Sequence, residues 1–438
     1  MSVLIGKQMR LFRIIPVILF FCILVSCGGG SGGDSRGQCT VAEENTLVYD
    51  LLRDFYLWYN EVPAVDPTIF PDSDTLLETL KNPSLDRFSF IVPKTVFDQV
   101  IVEGEFLGIG IRFHTEDAEA LSLTYVYPGS PADDIGLRRG DRILQVNGHD
   151  VSGLTDSGAL DDAFGERVAG NEVSFLVDPV AGGENQLLNT SLQTIAIETV
   201  PVHKVIDTTT ATVGYMVYTD FLSRSQTKLN EVFGDFAEES ISELVVDLRY
   251  NSGGSVATMA HLASLIAGQG RAGGVVAHLA FNDRYTHLDE IHELTQETQS
   301  LDIRRVIFIT TDTSCSASEG LINGLEAHVD VVVVGDTTCG KPVGSRPVDF
   351  CESTAALINF NVRNADQFGD YFNGITADCA AEDDISHELG DPEEHSLKSA
   401  LDFIDHGICE APVRGLVQKR KARSRSFFQG FRSVHQAW

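Results

Sequence analysis

Two short segments carry side chains of types that could act together on a bond. The first, Thr313-Ser314-Cys315-Ser316-Ala317-Ser318-Glu319-Gly320, follows the apolar run Val306–Thr310 and opens a helical pattern reaching about Glu326. A serine at a strand-to-helix turn sits at the positive end of the helix dipole, beside unpaired N–H groups. A nucleophile and an oxyanion both gain most there, although serine is also a preferred helix N-cap and capping alone would account for this segment. The second, Thr337-Thr338-Cys339-Gly340-Lys341-Pro342-Val343-Gly344, follows the run Val331–Val334. Taken alone, a lysine between Gly and Pro is surface decoration. Together, strand, Ser-led helix, strand and Lys loop form one β-α-β unit. Ser316 and Lys341, 25 residues apart by subtraction, then emerge at the same sheet edge.

The elements that must position this pair follow from the surrounding pattern. Across residues 199–410, Val213–Tyr218, Leu244–Leu248, Val306–Thr310 and Val331–Val334 are near-continuous apolar runs, with helical stretches Thr227–Ala237 and Val256–Ala267 between them. Strands apolar on both faces and alternating with helices predict a largely parallel sheet covered on both sides. Residues 40–100 read as a helical lead region: Leu47, Leu51, Leu52, Phe55, Tyr56 and Trp58 recur near a 3.6 period. Asp66-Pro67 and Phe70-Pro71 break the pattern before a second helix around Thr75–Leu80. No catalytic constellation is evident in it. The chain is thus read as multidomain α/β.

Residues 101–198 change to short strands and Gly turns. Leu107-Gly108-Ile109-Gly110-Ile111, Pro128-Gly129-Ser130-Pro131-Ala132 and Gly140-Asp141-Arg142-Ile143-Leu144-Gln145-Val146-Asn147-Gly148 together resemble a PDZ domain. A Gly-x-Gly loop exposes successive backbone N–H groups that can cradle a terminal carboxylate, and the adjacent strand edge can pair with a peptide. Gly108, Ile109, Gly110 and Ile111 are therefore peptide-binding candidates; in the plainer alternative the glycines only permit a tight turn.

Ser-Ala-Ser-Glu from Ser316, followed 25 residues after that serine by Gly340-Lys341, is similar to the carboxyl-terminal processing (tail-specific) serine protease family. So is Asp247-Leu248-Arg249-Tyr250-Asn251-Ser252-Gly253-Gly254, and a PDZ domain ahead of the catalytic domain fits the same architecture. The likeness runs from about residue 45 to 405. It implies Ser316 as nucleophile, Lys341 as general base, and an oxyanion hole from the N–H of Ala317 and one from the Gly253-Gly254 turn. A hydroxyl needs a neighbouring base to attack an amide, and lysine serves only where burial disfavours its charged form. The chain departs from the family at Pro342 and at Ser345, where a Gln that orients the amine is usual; Ser345 is the candidate substitute. Cys315 and Cys339 stand one and two positions upstream of the pair, and a disulfide between them is expected to clamp the site.

The ends and the composition complete the reading. Residues 1–26 have the basic start and apolar run (Ile14–Val25) of a secretory signal, too short for a membrane span. Leu24-Val25-Ser26-Cys27 resembles a bacterial lipobox, with Cys27 as the acylated residue and 27–39 as a Gly/Ser tether. With Gly28 rather than Asp after it, the anchor is expected in the outer membrane facing the periplasm. Residues 411–438 hold seven Lys or Arg and no acid, and read as a disordered basic tail. The formal charge of -31 disfavours nucleic acid as a partner. Cys39, Cys315, Cys339, Cys351, Cys379 and Cys409 allow three disulfides in an oxidising compartment, with 15 possible pairings. No zinc spacing, His-Glu-x-x-His or Gly-x-Ser-x-Gly occurs, so neither metal nor cofactor is expected. Glu382-Asp383-Asp384 and Asp391–Glu394 read as solvated loop acids. The partners expected are peptides or proteins with accessible C-termini and, through the anchor, a membrane. Two rivals stand beside the protease: a catalytically silent peptide-binding lipoprotein, and a serine protease using a histidine such as His203 or His328.

Overall fold

The computed structural model of the chain describes residues 39–115, 119–154 and 157–409. The signal, Cys27, nearly all of the tether, and the basic tail lie outside the described residues.

Helix α1 (Val41–Asp54) starts at a reciprocal cap: the Glu43 amide donates to Thr40 Oγ1 and the Thr40 amide to Glu43 Oε2. It buries Val48 and Leu52 against α2 (Ser73–Leu80), which buries Leu76, Leu77 and Leu80. Each such side chain contributes about 1.5–3 kcal/mol when removed from water. These helices do not close a core of their own. Their cluster includes Cys315, Val343, Phe350, Ala355, Leu357 and Ile358 from the far end of the chain. Strand β1 (Phe90–Pro93) pairs antiparallel with Ser353–Ala356, and Cys39 is disulfide-bonded to Cys351. The lead region is therefore built into the catalytic domain.

The PDZ domain has a separate core. Its sheet runs β2 (Ile111–His114), β3 (Leu121–Val126), β4 (Arg142–Val146), β5 (Glu172–Asp178) and β6 (Gln186–Ser191), neighbours pairing antiparallel. Alternation turns Ile111, Leu123, Ile143, Val173 and Phe175 inward.

The catalytic sheet is ordered β7 (Val202–Asp207), β8 (Thr212–Val217), β9 (Glu243–Asp247), β10 (Arg305–Thr310), β11 (Asp330–Gly335) and a final short strand, Cys379–Ala380. Only β7 is antiparallel to its neighbour. On one face Met216, Leu244, Val246, Val306 and Phe308 meet α3 (Ser225–Glu238), α4 (Val256–Ala267) and α5 (Ala317–Leu325). On the other, Tyr215, Val245, Ile307, Ile309 and Val334 meet α6 (His395–His406) and the PDZ tyrosines Tyr125 and Tyr127. Covering both faces is what makes these strands apolar throughout. Among the described residues no helix is long and apolar enough to cross a membrane.

Candidate active site

The loops after β9, β10 and β11 leave the same edge of the parallel sheet and are laced together. Cys315 N–H and Ser318 Oγ–H both donate to the Asn251 carbonyl, at 3.0 and 2.9 Å. Ser314 Oγ–H donates to the Leu248 carbonyl at 2.7 Å, and Thr311 and Thr313 hydroxyls donate to the Arg249 carbonyl. The Ser316 segment is thus held by the carbonyls of Asp247–Gly254, the run that carried the family resemblance.

Ser316 occupies the N-cap of α5, but not as an ordinary cap. Its backbone lies at φ 57°, ψ −112°, whereas N-caps normally take extended angles. A non-glycine residue held there costs roughly 1–3 kcal/mol, and such outliers gather at functional sites. The residue is half-buried, so its hydroxyl stays within reach of a substrate. Gly253, at φ 109°, is packed so closely that a Cβ would fall 2.7 Å from Ser316 Cβ and 2.9 Å from Ala317 N.

Lys341 is buried beside it. Glu319, one helical turn into α5 and fully buried, joins the two residues: its Oε2 accepts the Ser316 amide at 3.0 Å and the Lys341 amide at 2.8 Å. Oε1 accepts the Gly340 amide at 2.7 Å and the Thr338 hydroxyl at 2.5 Å. Burial pushes the Glu319 carboxyl above its usual range, against those donors. The Cys315–Cys339 disulfide, with Cα atoms 5.2 Å apart, adds a covalent tie between the same loops. The clamp expected from the sequence is present, and Cys379–Cys409 is the third bridge.

The Lys341 amine makes no ion pair among the described residues, and burial lowers its pKa to about 8 against the opposing fields of Asp86 and Glu319. Its Nζ stands 5.3 Å from the centroid of the Phe88 ring. Asp86, Arg87 and Phe88 belong to the lead region, which was read as free of catalytic constellations. The shared core brings this segment against the Lys loop. No spacing rule links positions 86 and 341.

Other expectations fare differently. The Gly253 amide donates to Asn251 Oδ1 at 2.8 Å, so of the Gly253–Gly254 pair the exposed Gly254 amide is the one left for an oxyanion beside that of Ala317. Ser345 follows the short strand Val343–Gly344 and makes no hydrogen bond with Lys341 among the described residues. Gly108, Ile109, Gly110 and Ile111 are buried, the Ile109 and Gly110 carbonyls accepting the Ala132 and Tyr127 amides. What β2 offers is its backbone, because it forms the edge of the PDZ sheet. His328 bonds the Val275 carbonyl ahead of β11, at the opposite strand end from Lys341, and His203 faces Asp235. Neither meets Ser316.

Two of the acids read as solvated are corrected, while Glu382 and Glu393 are exposed as expected. Glu394 is buried and Asp383 largely so beside the fully buried Arg249, whose Nη1 lies 2.8 Å from Asp383 Oδ1 and whose Nη2 lies 2.9 Å from Glu394 Oε2. A buried guanidinium requires such partners. The PDZ domain joins this network: Arg139 contacts Asp383 and the Tyr250 hydroxyl, and Arg112 donates to the Tyr250 carbonyl. Cys315, Cys339 and Glu319 place metal-ligand atoms within 4.8 Å of one another. Their sulfurs are joined and their carboxylate oxygens accept N–H and O–H groups, so this donor set does not suit a cation.

A serine at a strained strand-to-helix turn, a buried lysine whose backbone amide shares one carboxylate oxygen with that of the serine, and a PDZ domain are the arrangement of a serine-type peptidase. The description "Peptidase family S41" matches residues 212–380, "Peptidase S41 N-terminal domain" matches 43–90, and "PDZ domain" matches 123–169. Residues 212–380 thus carry a peptidase family S41 domain, preceded by the N-terminal domain of the same family. The chain is similar to the carboxy-terminal processing protease CtpA of Bacillus subtilis, 24% identical over 342 residues, covering 76% of this chain and 69% of that one. A Staphylococcus aureus protein described as a CtpA-like serine protease is 24% identical over 343 residues, 78% of this chain and 64% of its own. The chain thus spans about two thirds of the length of these relatives. Among solved structures, an S41 protease from Bacteroides fragilis aligns with TM-score 0.69 and 23% identity, over 83% of this chain and 98% of that chain. The photosystem II D1 C-terminal processing protease aligns with TM-score 0.52 and 18% identity, over 78% and 92%. These two likenesses concern the fold.

Proposed function

We propose that the chain is a peptidase that cuts exported proteins near their C-termini, using Ser316 as nucleophile and Lys341 as base, with the PDZ domain capturing the peptide end. The observation that carries this reading is the single carboxylate oxygen of Glu319 holding both the Ser316 and Lys341 amides, with the lysine buried near pKa 8. In the reaction the neutral amine takes the Ser316 hydroxyl proton as Oγ attacks the scissile carbonyl. The Ala317 and Gly254 amides bind the oxyanion, each such donor being worth about 3 kcal/mol. The ammonium then protonates the leaving amine. Water, deprotonated by the same lysine, releases the acyl group and restores the serine.

Capture by the PDZ domain would pair the substrate with the free edge of β2. Lipid attachment at Cys27, placing the enzyme at the outer membrane facing the periplasm, rests on the sequence. Radiolabelled palmitate entering the parent but not Cys27→Ser would support it, and equal labelling would not.

The test uses the purified full-length chain on an unfolded protein, with products mapped by mass spectrometry. Ser316→Ala and Lys341→Ala should each lower kcat/KM by about a thousandfold or more. Only the deprotonated amine is a base, so kcat/KM should rise with pH through a midpoint near 8. Turnover equal in parent and Ser316→Ala would end the reading.

A further inference from the structure

We propose that the segment Asp86-Arg87-Phe88 is a positioning element for Lys341, so that the lead region completes the active site; this rests on the Ser316/Lys341 reading. The Phe88 ring is a shelf 5.3 Å beneath the Lys341 amine. An aromatic face attracts an ammonium and excludes water, and it fixes where the end of a flexible side chain rests. Arg87 grips the loop that carries the base. Its Nη2 reaches the carbonyls of Cys339 at 2.5 Å, Gly340 at 3.3 Å and Phe372 at 3.3 Å. Its guanidinium also lies 4.9 Å from the Phe88 ring.

Asp86 locks the segment into this shape. The buried carboxylate accepts the Phe88 and Ser89 amides at 3.0 and 2.8 Å, and the Tyr56 and Ser89 hydroxyls, each at 2.6 Å. Ser89 Oγ in turn accepts the Ile358 amide at 2.9 Å. Tyr56 stands in the core that α1 and α2 share with Cys315 and Val343, so packing of the helices is transmitted to the base. The charged groups that act on the amine are Asp86 from this segment and Glu319 from α5, while Arg87 sits on the carbonyls of the neighbouring loop. Asp86, Glu319 and the ring favour the protonated amine; burial opposes it.

The experiment records kcat/KM against pH for full-length parent, Phe88→Leu, Phe88→Tyr, Asp86→Asn, Arg87→Gln and Lys341→Ala, with folding checked by circular dichroism. Phe88→Leu stays apolar but withdraws the ring, so the ascending limb should move down by about half a pH unit. Asp86→Asn removes a negative field and should move it down by about one unit. Phe88→Tyr keeps the ring and should leave the limb in place. Arg87→Gln should lower the plateau kcat about tenfold by loosening the loop. A purely structural segment would lower activity equally at every pH. Limbs unmoved in both Phe88→Leu and Asp86→Asn, with Lys341→Ala inactive, overturn this proposal alone. Lys341→Ala with the parent's rate overturns the dyad and the proposal together.

Discussion

The lead region and the PDZ domain both pack against the catalytic domain, but only one of them has a core of its own. The lead region joins through an apolar core shared with Cys315 and Val343, a strand pairing from β1 and the Cys39–Cys351 disulfide. The PDZ domain keeps its own core around Ile111, Leu123 and Phe175, lays Tyr125 and Tyr127 against the catalytic sheet, and reaches the Tyr250 loop through Arg112 and Arg139. A shared core and a disulfide leave the lead region no core of its own, whereas the PDZ domain closes one and adds to it a joint of packed tyrosines and buried guanidinium contacts that need their partners.

The sharpest way to break this contrast is to damage each core. Phe175→Ala should cost about 3–5 kcal/mol and melt the PDZ domain in a separate transition. Leu52→Ala should cost about 2–5 kcal/mol and lower the catalytic domain's own transition, because its core is the shared one. Calorimetry distinguishes the two patterns, and a single common shift for both variants would remove the distinction. Replacing Cys39 and Cys351 by serine opens a connection spanning 312 residues and should cost about 2–4 kcal/mol, with little change in the PDZ transition.

A smaller effect tests what the lead region's wall exacts. The Lys341 pKa falls from 10.5 to about 8 on folding, so the charged amine is disfavoured by roughly 3 kcal/mol at neutral pH. The penalty is full below pH 8 and vanishes above 10.5, so parent stability should rise with pH across that window. Lys341→Met should be inactive, more stable at pH 7 and without that rise in denaturant titrations. Smallest should be Arg112→Gln, which leaves buried Asp220 without its partner 3.4 Å away; about 1–2 kcal/mol is expected in thermal melts.

Much of this was legible in the residues. The β-α-β unit from Val306 to Lys341, the PDZ segments and the two accessory helices follow from local periodicity and turn chemistry, and the Cys315–Cys339 pair from its symmetry about the site. Glu319 stood inside a quoted motif, yet no role could be given to it, because its partners at 338, 340 and 341 are reached only by folding. Asp383 and Glu394 read as solvated because an acidic loop and a buried counter-charge are spelled alike; the guanidinium that claims them lies more than a hundred residues upstream.

The chain by itself therefore determined its local elements, its nucleophile and base candidates and the sheet edge they share, since those depend on neighbours within a few residues or one β-α-β unit. Only the tertiary structure decided which amide of Gly253 and Gly254 stays available, and that Phe88 lies beside the Lys341 amine. Those depend on which distant surfaces exclude water together, and hydrophobic burial has no sequence spacing.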